Sequence, residues 1–187
     1  MNVYDFDNTI LRGDSTVRYC LYCLRHYPRI WPDIPAQLVN GALFLMKKRD
    51  RRAFKQRLLR FVAWIDVEAA LENFWQENFS RIKSFYAKTR REDDVIISAS
   101  PEFIIAPACK RLGIRHYMGS PVDMKTGRYL GANCNGEEKV RRFREVYGDA
   151  QIDDFYSDSH SDDPLARLAK HAIMVKGDEL VPWPWQN

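Results

Sequence analysis

Cysteine is scarce in this chain: Cys20, Cys23, Cys109 and Cys134 are its four among 187 residues. A sequence of this length can build its own apolar core and has no need of a disulfide framework, so reduced thiols are expected. Cys20 and Cys23 have metal-ligand spacing, but no second Cys/His pair stands at a zinc-finger distance, and both read as buried helix residues. A Walker-type glycine-rich loop ending in Lys-Ser/Thr is absent, which disfavours nucleotide-driven chemistry. Also missing is a run of the ~20 apolar residues needed to cross a bilayer. The most hydrophobic stretch, Ile34 to Met46, is interrupted by Pro35, Asn40 and Gly41. The first strand-like segment follows Met1 directly, leaving no room for a signal peptide, and a cytoplasmic location is expected.

What is present is the composition of a folded protein, 45% hydrophobic and 29% charged, enough for one core domain with an appendage. The net charge is only +4, but it is unevenly spread. Lys47, Lys48, Arg49, Arg51, Arg52, Lys55, Arg57 and Arg60 crowd one stretch opposed by Asp50 alone. A solvated helix face accounts for such a run. The alternatives are an anionic substrate, an acidic membrane surface touched through Lys47, Lys48, Arg49, Arg51 and Arg52, and nucleic acid. Nucleic acid is the least favoured, because base-stacking aromatics are not interleaved with the charges.

Periodicity predicts a strand over 2–8, a second over 94–100 with consecutive Val-Ile-Ile, and a third over 114–122 followed by a hairpin turn at Lys125 to Arg128. It also predicts helices from Pro101 to Leu112, from Glu137 to Tyr147 with Val140, Phe143, Val146 and Tyr147 on one side, and from Pro164 to Ala169. Phe155 to Ser157 and His171 to Val175 complete the strands. Strands alternating with helices imply a mostly parallel sheet covered on both faces. Residues 15–88 break the rhythm and read as helices throughout, an insertion beside a core made of 1–14 and 89–187.

In such sheets ligands bind beyond the carboxyl ends of the strands. The polar residues expected there are Asp5 and Asp7, Ser98 and Ser100, Asp158, Asp162 and Asp163, with Lys139 opening the helix after "GANCNGEE". Carboxylates converging on one mouth repel unless they share a cation, and an oxygen-only set suits Mg2+. A calcium loop is excluded: Ile10 stands where it needs Gly, and Thr16 where it needs Glu. With a cation in place, a serine hydroxyl and a lysine are suited to the peripheral oxygens of a phosphoryl group. Asp163 reads as a residue of the helix N-terminus and Ser100 as a cap.

Asp5-Phe6-Asp7-Asn8-Thr9, Ser98, Lys139 and Asp158-Ser159-His160-Ser161-Asp162 resemble, in order and spacing, the four motifs of the haloacid dehalogenase superfamily, in its phosphoserine-phosphatase-like branch. The resemblance implies an α/β fold, a Rossmann-like parallel sheet core with an inserted all-helical cap. It implies a phosphomonoester hydrolase with Asp5 as nucleophile and Asp7 as acid and base. Ser98 and Lys139 would hold the phosphate. Asp5, Asp7 through its backbone carbonyl, Asp158 and Asp162 would hold Mg2+. The branch carries Glu where this chain has Asp14, which sets phosphoserine itself in question as the substrate. "GEEKVRRF", "YSDSHSDDPL" and the apolar-then-basic insertion are similar also to bacterial phosphatidylglycerophosphatases, implying a small or lipid-linked organic phosphate. A catalytically silent phosphate-binding module on the same fold is the alternative of another class.

Overall fold

The structure, a computed structural model, describes residues 1–49 and 51–185, and of Arg51, Arg52, Lys55 and Gln56 only the backbone. Six strands form one sheet in the order β3-β2-β1-β4-β5-β6: β1 (Val3–Tyr4), β2 (Val95–Pro101), β3 (His116–Ser120), β4 (Ile152–Ser157), β5 (Ala169–Lys176) and β6 (Glu179–Pro182). The first five are parallel and β6 returns antiparallel at one edge. Helices α6 (Glu102–Leu112), α7 (Glu137–Tyr147) and α8 (Asp163–Ala166) connect the strands. β1 lies between β2 and β4, where the crossovers diverge, so its carboxyl end is the natural binding crevice of the sheet.

The alternation of side chains along β1 divides the core. Tyr4 belongs to an apolar cluster with Phe6, Phe74 and Trp75, whereas Val3 belongs to one with Phe143, Phe155 and Trp183. Tyr4 stacks on Tyr156 at 4.6 Å and meets Tyr86 edge-on at 5.1 Å. Between β1 and β2 the chain is mostly helical: α1 (Ser15–His26), α2 (Ile34–Leu45), α3 (Arg51–Leu58), α4 (Val67–Asn78) and α5 (Ser84–Thr89), with 3-10 turns after α1, α3 and α4. This segment is tied to the sheet layer at several points. The Trp75 indole donates to the Ile104 carbonyl at 2.7 Å, and Tyr19 packs against Phe74 and Phe103. At Gly127 (φ +69°) a Cβ would lie 2.2 Å from the Leu59 carbonyl oxygen, so the hairpin after β3 meets the helical segment through a residue without a side chain.

Several sequence expectations need correction. The strand expected over 2–8 is regular only at Val3–Tyr4, because the chain turns away after Asp5 and Asn8 adopts a positive φ of 55°. α8 ends at Ala166 and Ala169 already opens β5; Pro164 starts a helix that β5 pairing cuts short. β6 was not anticipated, since its four residues, Glu-Leu-Val-Pro, give little periodicity. Val146 is 61% exposed while Val140 and Phe143 are buried. For Trp183 and Trp185 of "VPWPWQN" the sequence leaves a choice between core and partner, with core favoured; Trp183 is core, but Trp185 is 38% exposed beneath the Arg167 guanidinium. All four cysteines are free. Of the basic run, Asp50 and the side chains of Arg51, Arg52 and Lys55 lie outside the described residues.

Candidate active site

Asp5 is placed by the last sheet contact of β1: its N–H donates to the Tyr156 carbonyl at 2.9 Å. Asp7 is placed by the turn that follows. The N–H groups of Ile10 and Leu11 return to the Phe6 carbonyl at 3.0 and 2.9 Å, and the left-handed Asn8 sends the chain toward Gly13. Lys83, a buried residue before α5, clamps this turn to the β5–β6 edge, donating to the carbonyls of Asn8 and Gly177. Asp5 and Asp7 thus line one cavity through a loop rather than through the pleat of a strand.

The Asp7 carboxylate is held at both oxygens. Oδ1 accepts from the Ser15 N–H at 2.8 Å, in the first turn of α1, and Oδ2 accepts from the Ser100 hydroxyl at the end of β2. Ser100 has one proton, committed to Asp7, so it accepts from Ser15 Oγ at 3.2 Å and from Thr16 Oγ1 at 2.9 Å. Ser100 N–H in turn donates to Ser98 Oγ at 3.1 Å. On the opposite wall, the buried Lys139 Nζ donates to Asp5 Oδ1 and Asp162 Oδ2, both at 2.7 Å, and Ser157 Oγ donates to the same Asp162 oxygen at 2.7 Å. The Thr9 hydroxyl accepts from the Asp158 N–H at 3.0 Å.

The cavity, about 360 Å³, is lined by Asp5, Asp7, Asp14, Asp158 and Asp162, and the one cation among its described lining residues is Lys139. Its electrostatics follow. Burial pushes Asp5 up to about 7, a shift that Lys139 opposes and Asp162 reinforces. Burial and the nearby Asp14 carboxylate push Asp7 up to about 6, with the Ser100 and Ser15 bonds acting the other way. Burial raises Asp158 as well. Desolvation pulls Lys139 down, but the carboxylates of Asp5 and Asp162 more than reverse it, so the ammonium is retained.

This donor set fits a hard divalent cation. All the acids are carboxylates, and Asp162 Oδ1 is buried with no hydrogen-bond partner. The geometry is not that of a closed cage: among the described residues no group of three or more His, Cys, Asp or Glu stands at metal-holding distances, and Lys139 bridges Asp5 and Asp162. The structure brings Asp5, Asp7, Ser98, Lys139, Asp158 and Asp162 to one cavity. His160 and Asp163 do not line it; Asp163 accepts from the Trp183 indole at 3.0 Å and lies 3.2 Å from His160 Nδ1. Sequence reasoning missed Ser15 and Thr16, and read Ser100 as a cap when its hydroxyl binds Asp7. The only available signal was two hydroxyl residues directly after Asp14 at a helix start.

The chain belongs to the haloacid dehalogenase-like hydrolase family, which residues 3–167 match. It is 29% identical to protein CicA of Caulobacter vibrioides over 139 residues, covering 71% of this chain and 57% of that protein. It is 31% identical to a histidinol-phosphatase of Neisseria meningitidis over 102 residues, 46% of this chain and 45% of the relative. The chain thus spans about half the length of these curated relatives. A solved structure of a Bordetella pertussis protein of unknown function superposes with a TM-score of 0.72 at 18% identity, covering 93% of this chain and 88% of that one. That likeness concerns the fold.

Proposed function

We propose that this protein is a Mg2+-dependent phosphomonoester hydrolase working through an aspartyl-phosphate on a small organic phosphate. One observation carries the reading: Asp5 and Asp7 line one cavity, Asp5 facing the fixed Lys139 ammonium and Asp7 raised to about 6, where it can both give and take a proton near neutrality. A carboxylate oxygen of Asp5 attacks phosphorus while the bond to the ester oxygen breaks, and Asp7 passes its proton to that leaving oxygen. Asp7, now a base, takes a proton from water as the water oxygen attacks the aspartyl-phosphate, releasing phosphate and restoring the Asp5 carboxylate. Ser98 and Lys139 hold the phosphate's peripheral oxygens. Asp5, Asp158, Asp162 and the Asp7 carbonyl are the residues that would hold magnesium, which supplies the positive charge that lets an anionic ester enter an anionic pocket. In this reading residues 15–88 act as a cap over the site, with 1–14 and 89–187 as the core.

The histidinol-phosphatase named above supports a small phosphate-bearing substrate. Phosphoserine is a variant of the same reading, although Asp14 already caps α1 by accepting from the Val17 N–H at 2.8 Å. A second reading, lipid-linked phosphate met at a membrane surface, is favoured by α2 and the residue that caps it: Leu38, Leu45 and Met46 are 70%, 82% and 59% exposed beside exposed Lys47 and Lys48. No helix among the described residues is long and apolar enough to cross a membrane. Binding to anionic but not neutral vesicles tests that contact.

The deciding experiment is turnover of p-nitrophenyl phosphate with and without Mg2+, for the wild type and Asp5→Asn. Mg2+-dependent turnover abolished by Asp5→Asn is expected. An inactive wild type across a phosphomonoester panel would instead favour a silent phosphate-binding module.

A further inference from the structure

The cavity lining is of two kinds. Most of it is polar, the carboxylates, Ser98 and Lys139 being joined by further hydroxyl and amide residues, but the helical segment adds an apolar wall: Val17 of α1, Phe44 of α2, and Phe54 and Leu58 of α3. Phe44 and Phe54 stack with their rings 4.5 Å apart and 18° from parallel, joining two helices into one aromatic surface. Both are only half-buried and Val17 is 50% exposed, so this surface faces the cavity instead of closing on itself as core. An apolar wall open to water is a cost to the empty protein, and burying it against an apolar ligand recovers that cost.

We infer that this wall is a leaving-group subsite, and that the substrate is a phosphate monoester whose alcohol carries a compact apolar alkyl or aryl group. The inference rests on the hydrolase reading for the position of the phosphate and goes beyond it in naming the alcohol. Continuity of the apolar wall with the phosphate end in one cavity is the observation behind it. The size of the alcohol follows from the space: 360 Å³ lies near the lower end of small-molecule pockets, which run from roughly 300 to 1,000 Å³. The polar alcohol of phosphoserine leaves the wall uncovered.

The test is a series of n-alkyl phosphates from ethyl to hexyl, with phenyl phosphate and O-phosphoserine, measured with Mg2+ as kcat/KM. The matching alkylphosphonates, which cannot be cleaved, are measured as ligands by calorimetry. Each methylene that enters the subsite is expected to raise kcat/KM and phosphonate affinity about fourfold, with phosphoserine among the poorest esters. Phe44→Ala and Phe54→Ala flatten the dependence, mainly through KM, whereas Phe44→Leu retains it, which separates lost apolar surface from lost folding. Turnover with no dependence on chain length, or a preference for phosphoserine, overturns the inference and leaves the hydrolase reading intact. Chain-length-dependent phosphonate binding without turnover of any ester does the reverse: it supports the subsite and removes the hydrolase. Neither turnover nor phosphonate binding overturns both.

Discussion

The Lys139 ammonium lies 2.7 Å from Asp5 Oδ1, 134 positions away in the chain, and the lysine is 1% exposed. A cation so deep is stable only because Asp5 and Asp162 surround it, and the two carboxylates are tolerable only because of the cation.

Removing that cation therefore leaves two buried like charges. Lys139→Ala is expected to lose about 3–5 kcal/mol of stability at pH 8. The loss shrinks as the pH falls toward about 7: without Lys139, which holds the Asp5 pKa down, the variant's Asp5 takes up a proton at a higher pH than in the intact protein and the repulsion fades. Urea unfolding at pH 8 and pH 5.5 measures both; equal losses at the two pH values would contradict the charge argument.

Ser100 donates its proton to the ionised form of Asp7, which lowers the aspartate's pKa. Deleting the hydroxyl should raise it. Ser100→Ala is expected to shift the alkaline limb of the kcat profile upward by about 1 pH unit, the worth of a hydrogen bond to a charged group. kcat at the optimum should fall by about tenfold or more with a smaller change in KM, and Ser100→Thr should restore the limb. A profile that stays in place would mean that Asp7 is not the titrating acid.

Magnesium binding should register as stability even without substrate. With Mg2+ at a hundred times its dissociation constant the stabilisation is about 2.7 kcal/mol. It should be larger at pH 8 than at pH 5.5, because the carboxylates must be ionised to bind. Asp158→Asn should abolish most of the shift in Tm. An equal shift in that variant would place the ion elsewhere.

Asp94, 2% exposed ahead of β2, is pushed up to about 6 by burial, with the Arg91 N–H bond at 2.8 Å opposing the shift. Its folded pKa exceeds the unfolded value. The stability linked to it is therefore complete below about pH 4 and lost as the pH rises through about 6. Asp94→Asn keeps an acceptor for Arg91 and carries no charge. It should stabilise the protein at pH 8 by on the order of 1–2 kcal/mol and leave it nearly unchanged at pH 4, by thermal unfolding at each pH.

The residues that line the cavity's polar wall could be found in the chain because each sits where local rules send it. Asp5 follows a short apolar strand, Ser98 lies near the end of the Val-Ile-Ile strand, Lys139 falls in the first turn of a helix bounded by Gly136 and Gly148, and Asp158 follows β4. Parallel order then gathers the ends of neighbouring strands, and so the helical insertion and the sheet class were legible from periodicity alone. The extent of β1, α8 and β6 was not. These elements are two to four residues long, too short for a period to show, and their limits are set by pairing with strands distant in sequence.

The sequence by itself determined which groups could do chemistry here: carboxylates, a serine and a lysine at strand and helix ends, with no cysteine or histidine cluster to compete. Tertiary structure alone decided how those groups are poised. Ser100 binds Asp7 across 93 positions, Lys139 joins Asp5 to Asp162, and Phe44 and Phe54 turn one end of the cavity apolar. The physical reason is that desolvation, charge pairing and hydroxyl orientation depend on which side chains meet in space, and local propensity carries no record of those meetings.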